Sequence, residues 1–229
     1  MKGTSIKARL VMRYIDLSHT IENGLTTYKG LPAPIICDWM TFEKSHDTYA
    51  DGTEFSMQWL CMHSNTGTYI DTPRHRYRDG HDLTGLELSR VSSIPGLCVR
   101  MPKRDDRVAD IDLFDGLKVK GHAVLIRTGW SQHFGTDQYF EDHPYLSVAA
   151  AEYLADKGAL LVGIDSLNID NTETGERPVH SLLLGQGIPI VEHLTNLDAL
   201  PNIGFRFSAV PPRIKDVGTF PVRAHAIME

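Results

Sequence analysis

The chain has 229 residues, of which 41% are hydrophobic and 23% charged, with a formal net charge of -6. This is the composition of a soluble globular protein, and the length suits one large domain or two small ones. The acidic balance and the lack of a lysine- and arginine-rich stripe give no reason to expect nucleic-acid binding, and no apolar run approaches the roughly 20 residues that would span a bilayer.

The opening MKGTSIKARLVMRYIDL lacks a long apolar core, so no signal peptide is expected. Residues 14–19 read as the end of an early strand. Residues 21–34 are rich in turn formers, with Gly24, Gly30, Pro32 and Pro34 as punctuation. A strand over 35–42, a polar loop over 43–52 and a second strand over 55–63 follow. The bulky apolar EFSMQWLCM of this second strand predicts burial. Trp39, Trp59, Phe55 and Tyr28 are candidates for a pocket wall.

The stretch from Cys61 to His81, CMHSNTGTYIDTPRHRYRDGH, concentrates polar groups able to do chemistry. In an extended segment residues two apart share a face, which groups His63 with Asn65 and Tyr69 with Asp71. Gly67 permits a bend or a close backbone approach, and Pro73 ends the strand, after which His75 can fold back toward Asp71.

Strands are expected at 97–101, 123–127, 159–164 and 188–192, with more over 204–209 and 222–228. The dense charge of 103–110 reads as solvated surface. Residues 144–157 carry the clearest helix, with Ser147 as N-cap, apolar Val148, Ala151, Leu154 and Ala155 at helical spacing, and Gly158 as the stop. A second, short helix is expected at 180–184. Helix, glycine and buried strand in succession define an α/β unit. Acids follow the 159–164 strand in VGIDSLNID, and Glu192 ends an apolar run where an unpaired carboxylate would be costly. Cys37, Cys61 and Cys98 form no CxxC pair, which argues against a disulfide scaffold or zinc ribbon and fits a cytoplasmic protein. No linker or repeat interrupts the chain, so a single domain over 1–229 is expected.

Several separated motifs, in order, resemble the metal-dependent cyclase-like hydrolases, the family of bacterial kynurenine formamidase and isatin hydrolase. They are the opening YIDLSHTIENGLTTYKGLPAP, TGTYIDTPRH against a His-x-Gly-Thr-His-x-Asp-x-Pro-x-His signature, VGIDSLNID, HSLLLGQGIPIVEHL and PVRAHAI. The resemblance implies an α/β fold of the swivelling β/β/α type, a mixed sheet forming a barrel-like core with outer helices. It implies one divalent ion, zinc or manganese, a small amide, cyclic amide or lactone as substrate, and a homodimer or homotetramer. Carried over by position, Asp71, His180 and Glu192 fall on metal ligands and His75 on the general acid/base. The signature's first two histidines are replaced by Asn65 and Tyr69. An amide oxygen is a poor zinc ligand and a tyrosine ligates only as phenolate, so Tyr69 is better suited to donating its phenol to an oxyanion. The preferred expectation is one ion on Asp71, His180 and Glu192. The alternatives are that His63, or Asn65 itself, completes the set, or that a non-catalytic small-molecule-binding protein has kept the fold without the metal.

Overall fold

A computed structural model describes residues 12–102 and 107–228. The start of the chain and part of the charged 103–110 stretch lie outside the described residues. In chain order the strands are β1 (Arg13–Asp16), β2 (Ile35–Met40), β3 (Met57–Cys61), β4 (Tyr69–Asp71), β5 (Ile94–Arg100), β6 (Val108–Ala109), β7 (Ala123–Arg127), β8 (Tyr145–Leu146), β9 (Leu161–Ile164), β10 (Ile190–Glu192), β11 (Phe205–Ser208), β12 (Thr219–Pro221) and β13 (His225–Met228). The α-helices are α1 (Phe42–His46), α2 (Pro73–Arg76), α3 (Val148–Asp156) and α4 (Pro178–Gly185).

Nine strands form one mixed, curled sheet in the order β1-β13-β11-β5-β7-β9-β10-β4-β12. Its centre, β5-β7-β9-β10, is parallel, and antiparallel strands extend it on both sides. Both faces are buried, which explains why the central strands read as continuous apolar runs. Side chains alternate between two cores along each strand. Cys98 and Leu125 join a cluster with Leu17, Ile70 and Phe207. Leu97, Val99, Val124 and Ile126 face the other cluster, with Leu154 of α3 and Leu183 of α4. This is the mixed α/β fold that the motifs imply.

α3 starts as its sequence predicts, with the Ser147 hydroxyl accepting from Ala150 N–H. α1 occupies part of the expected polar loop because Thr41 caps it, accepting from Lys44 N–H.

β2 and β3 depart further from expectation. They pair only with each other, and all five residues of β3 are exposed. The buried strand read from EFSMQWLCM is therefore an exposed hairpin arm, with Trp39 71% and Trp59 52% accessible. Such an exposed apolar pattern is one that a protein contact would satisfy as well as a core does. Trp39, Trp59 and Phe55 are exposed and absent from the cavity described below, whereas Tyr28 lines it.

Candidate active site

β4 sits between β10 and β12, and the register places Tyr69 opposite Glu192 and Asp71 opposite Thr219. Cross-strand partners point to one face, so a single three-residue strand gathers groups that are far apart in sequence. Just upstream, Gly67 takes a left-handed φ of 62° and gives its N–H to Thr27 Oγ1 at 2.9 Å. A Cβ at Gly67 would fall 2.9 Å from Ile21.

His180 is held from the opposite side by Asp170. Arg177, the residue preceding α4, supplies no side-chain cap; Asp170 takes the N–H groups of Val179 and His180 at 2.7 and 3.0 Å. Asp170 Oδ2 also lies 2.6 Å from His180 Nδ1. A carboxylate accepts only, so Nδ1 carries the proton and Nε2 is turned toward Asp71 and Glu192. Nε2 lies 3.7 Å from Asp71 Oδ2 and 3.6 Å from Glu192 Oε1. Asp71, His180 and Glu192 are each at most 4% exposed.

Those separations are too long for hydrogen bonds. Two donors each about 2.1 Å from a tetrahedral ion stand roughly 3.4 Å apart, close to what is seen. Asp71 Oδ2 is buried with no hydrogen-bond partner among the described residues, a costly state for a carboxylate unless a cation meets it. One ligand atom each of Asp71, His75 and His180 lie within 4.8 Å of one another. The donor set therefore fits a divalent ion, with a histidine locked by a carboxylate in the manner of metal-binding imidazoles.

Electrostatics agree. Burial works against charge on His180, but Glu192, Asp170 and Asp71 outweigh it and raise its pKa to about 10. Burial, opposed by His180, lifts Glu192 to about 7. Asp71 is driven upward by burial but held below the usual carboxylate range by His75 and His180.

Glu192 is clamped by Ile169 N–H at 2.7 Å and by the Tyr69 hydroxyl at 2.6 Å. The single proton of Tyr69, assigned to an oxyanion by sequence, thus goes to Glu192 here. Burial and the charge of Glu192 hold that phenol well above the usual tyrosine range, so it is a proton-bearing donor and not a phenolate ligand. His193 Nε2 and Tyr28 Oη stand 3.3 and 3.0 Å from the same hydroxyl, and Tyr139 Oη is 2.9 Å from His193 Nδ1.

A cavity of about 320 Å³ opens onto these groups, lined among others by Tyr28, Asn65, Tyr69, His75, His180 and Glu192. Asn65 thus reaches the cavity, its Oδ1 accepting from Ser64. His63 is exposed, does not line the cavity and is outside the cluster. Arg76 and Arg177 stand at the cavity, Arg76 tied to α4 through Ser181 and Arg177 to the carbonyls of Thr174 and Glu176 in the loop before it. Sequence reading missed these two arginines, Asn168 and Thr219. It noted acids after β9 without assigning Asp170 to His180, although a separation of ten positions and an intervening turn are all that hides the pair.

A mixed α/β sheet carrying a metal-capable cluster of Asp71, His75 and His180, with Glu192 beside it, next to a small-molecule-sized cavity is the architecture of a metallohydrolase-like protein. Residues 15–171 match the Cyclase family model, and the chain belongs to that family. It is 27% identical to a kynurenine formamidase of Bacillus cereus over 212 residues, covering 92% of this chain and 95% of that one. It is likewise 27% identical to a kynurenine formamidase of Bacillus mycoides, over 93% of this chain and 96% of the relative. An isatin hydrolase from Labrenzia aggregata superposes with a TM-score of 0.82 at 21% identity, over 95% of this chain and 94% of that one, a likeness of fold.

Proposed function

We propose that this chain is a metal-dependent hydrolase of a small amide, cyclic amide or lactone. The observation that carries the reading is the buried Oδ2 of Asp71, without a hydrogen-bond partner among the described residues, facing Nε2 of His180. The kynurenine formamidase relatives and the similarity to isatin hydrolase support an amide as substrate. Asp71, His180 and Glu192 would hold one ion, and two carboxylates with one imidazole suit manganese as well as zinc. When bound, such an ion lowers the pKa of a water toward about 7 and polarises a carbonyl.

His75 stands at the cavity wall with its ring centroid 6.0 Å from that of His180. It takes the proton of the attacking water and returns it to the leaving nitrogen or oxygen. The neutral Tyr69 phenol, which donates to Glu192 here, would be the donor available to an oxyanion in the cavity. Asn65 and Tyr28 contact the substrate from the cavity wall.

The test is metal content of protein purified without chelator, with hydrolysis rates on a panel of small amides and lactones. One equivalent of zinc or manganese and chelator-sensitive hydrolysis are expected. No metal after supplementation and no hydrolysis would leave the non-catalytic binding protein as the reading, and the replacement of two family ligands by Asn65 and Tyr69 is what favours that alternative.

The proposal includes a cytoplasmic homodimer or homotetramer. The β2–β3 arm supports self-association, because an isolated two-stranded hairpin is at best marginally stable in water. Among the described residues no helix is long and apolar enough to cross a membrane. Trp59→Lys with Leu60→Lys is expected to yield monomers in sedimentation velocity; an unchanged sedimentation coefficient would remove the arm from the interface.

A further inference from the structure

Thr219 lies on β12 directly across from Asp71 of β4, two residues before the PVRAHAI stretch and outside every motif that marked the site. Its hydroxyl donates to Asp71 Oδ1 at 2.5 Å and lies 2.6 Å from His75 Nδ1. Asp71 Oδ1 and His75 Nδ1 are themselves 3.7 Å apart, so the hydroxyl is the atom that joins them.

Its place is set by backbone. The N–H and the hydroxyl of Thr72 both bond the carbonyl of Gly218 at 2.8 Å. This ties the start of β12 to the residue that precedes α2, the helix carrying His75. Gly218 permits it: a Cβ there would sit 2.5 Å from His75 N and 2.8 Å from Arg74 C, both backbone atoms that cannot yield. Thr219 is 2% exposed, so water does not compete for its hydroxyl.

A hydroxyl has one proton to give and accepts on its lone pairs. Here the proton goes to the carboxylate, so the bond to His75 must run the other way, with Nδ1–H donating to Oγ1. A neutral imidazole with its proton on Nδ1 presents a bare Nε2. We propose that Thr219 is the positioning residue of the site: by accepting from His75 Nδ1–H it fixes the tautomer and ring orientation that leave Nε2 of His75 as the proton acceptor. Directionality in the chain Asp71, Thr219, His75 is what matters, since a threonine that donated to His75 would leave the wrong nitrogen protonated. The inference rests on the hydrolase reading for its kinetic consequence, but the tautomer is a property of the chain alone.

Two variants separate the hydroxyl from the side chain's bulk. Thr219→Val keeps the shape and removes the donor and acceptor; Thr219→Ser keeps the hydroxyl. The ¹⁵N spectrum of imidazole-labelled, zinc-supplemented protein, assigned by loss of the His75 signals in His75→Ala, reads the tautomer directly. In the parent and in Thr219→Ser, neutral His75 is expected to show a protonated Nδ1 and an unprotonated Nε2. In Thr219→Val the populations should shift toward the Nε2–H form. On the best substrate of the amide and lactone panel, Thr219→Val should lower kcat about 10- to 100-fold with KM changed less than about threefold, while Thr219→Ser stays within about fivefold of the parent.

A Thr219→Val protein that folds, by its thermal transition, and keeps the parent tautomer overturns the inference. So does a Thr219→Ser variant as impaired as Thr219→Val, or a parent whose His75 is protonated on Nε2. A parent with the expected tautomer but no hydrolysis on any substrate would instead overturn the hydrolase reading and leave the Thr219 assignment standing.

Discussion

Asp71 Oδ2 and His180 Nε2 face each other across 3.7 Å of buried space, with no hydrogen bond between them and, among the described residues, no other partner for the oxygen. Without a cation, the charge on His180 is what balances Asp71 and Glu192, which is why its pKa rises to about 10. A metal ion and the His180 proton therefore compete for one place. Metal binding at pH 8 should release about one proton, and affinity should climb about tenfold per pH unit toward the pKa of His180. Titration calorimetry in buffers of different ionisation enthalpy measures the released proton; binding with no buffer dependence would show that His180 is not a ligand.

His75→Ala should leave the fold and the bound metal nearly intact and remove most hydrolysis. The His75 side chain is one-third exposed and, among the described residues, hydrogen-bonds the site through Thr219, so little packing is lost. General acid–base catalysis is worth roughly 10²–10⁴-fold. Rates on the best substrate, with metal content measured in parallel, check this; an unchanged rate rules out His75 as the base.

The double change Asn65→His with Tyr69→His restores the family's ligand types. Metal affinity should rise. The same change breaks the 2.6 Å bond from Tyr69 to Glu192 and the contacts to Tyr28 and His193, so metal-free stability should fall by about 1–3 kcal/mol. If Tyr69 serves the oxyanion, the rate will not rise in proportion to metal. Equilibrium metal titration, denaturation and kinetics on one preparation decide; a variant faster in step with its metal content would end the oxyanion role.

His193 is fully buried, and burial above all lowers its pKa to about 3. It is neutral in the folded protein at any pH above that value, whereas in the unfolded chain it takes a proton near pH 6.5. Between those limits the unfolded state binds the extra proton, so this residue's contribution to stability falls as pH drops through 6.5 and levels off near 3. His193 has a φ of 56°, which asparagine tolerates. His193→Asn should flatten the pH dependence of stability over that window by about 1.4 kcal/mol per pH unit. Urea midpoints across the window for parent and variant test it; parallel curves would reject the assignment.

Much of the site was legible in the sequence because its residue types have few other reasons to be where they are. Glu192 ending an apolar strand demanded a partner on its own; His180 was singled out only through the family resemblance, and the two face each other in the structure. The strand pattern of β7 and the capped start of α3 were equally direct, being local. Thr219 was not legible: a threonine in a strand is ordinary, and only the pairing of β12 with β4 gives its hydroxyl two partners. Asp170 was seen as an acid after a strand, but its task depends on a turn that brings it under α4. Both strands of the β2–β3 arm were legible; the burial expected for β3 was wrong because bulky apolar residues look alike in a core and on an exposed arm.

The placing of β4 has a consequence for how the chain comes off the ribosome. Its two neighbours, β10 and β12, are made more than a hundred residues later, and β1 waits for β13, near the end of the described chain. A nascent chain that has emerged as far as α3 holds a buried-type strand with both edges open. Elongation at about 5–20 residues per second leaves it so for several seconds or more. Chaperone dependence during synthesis, and sensitivity to truncation of the last few strands, should therefore exceed what the stability of the finished sheet would suggest.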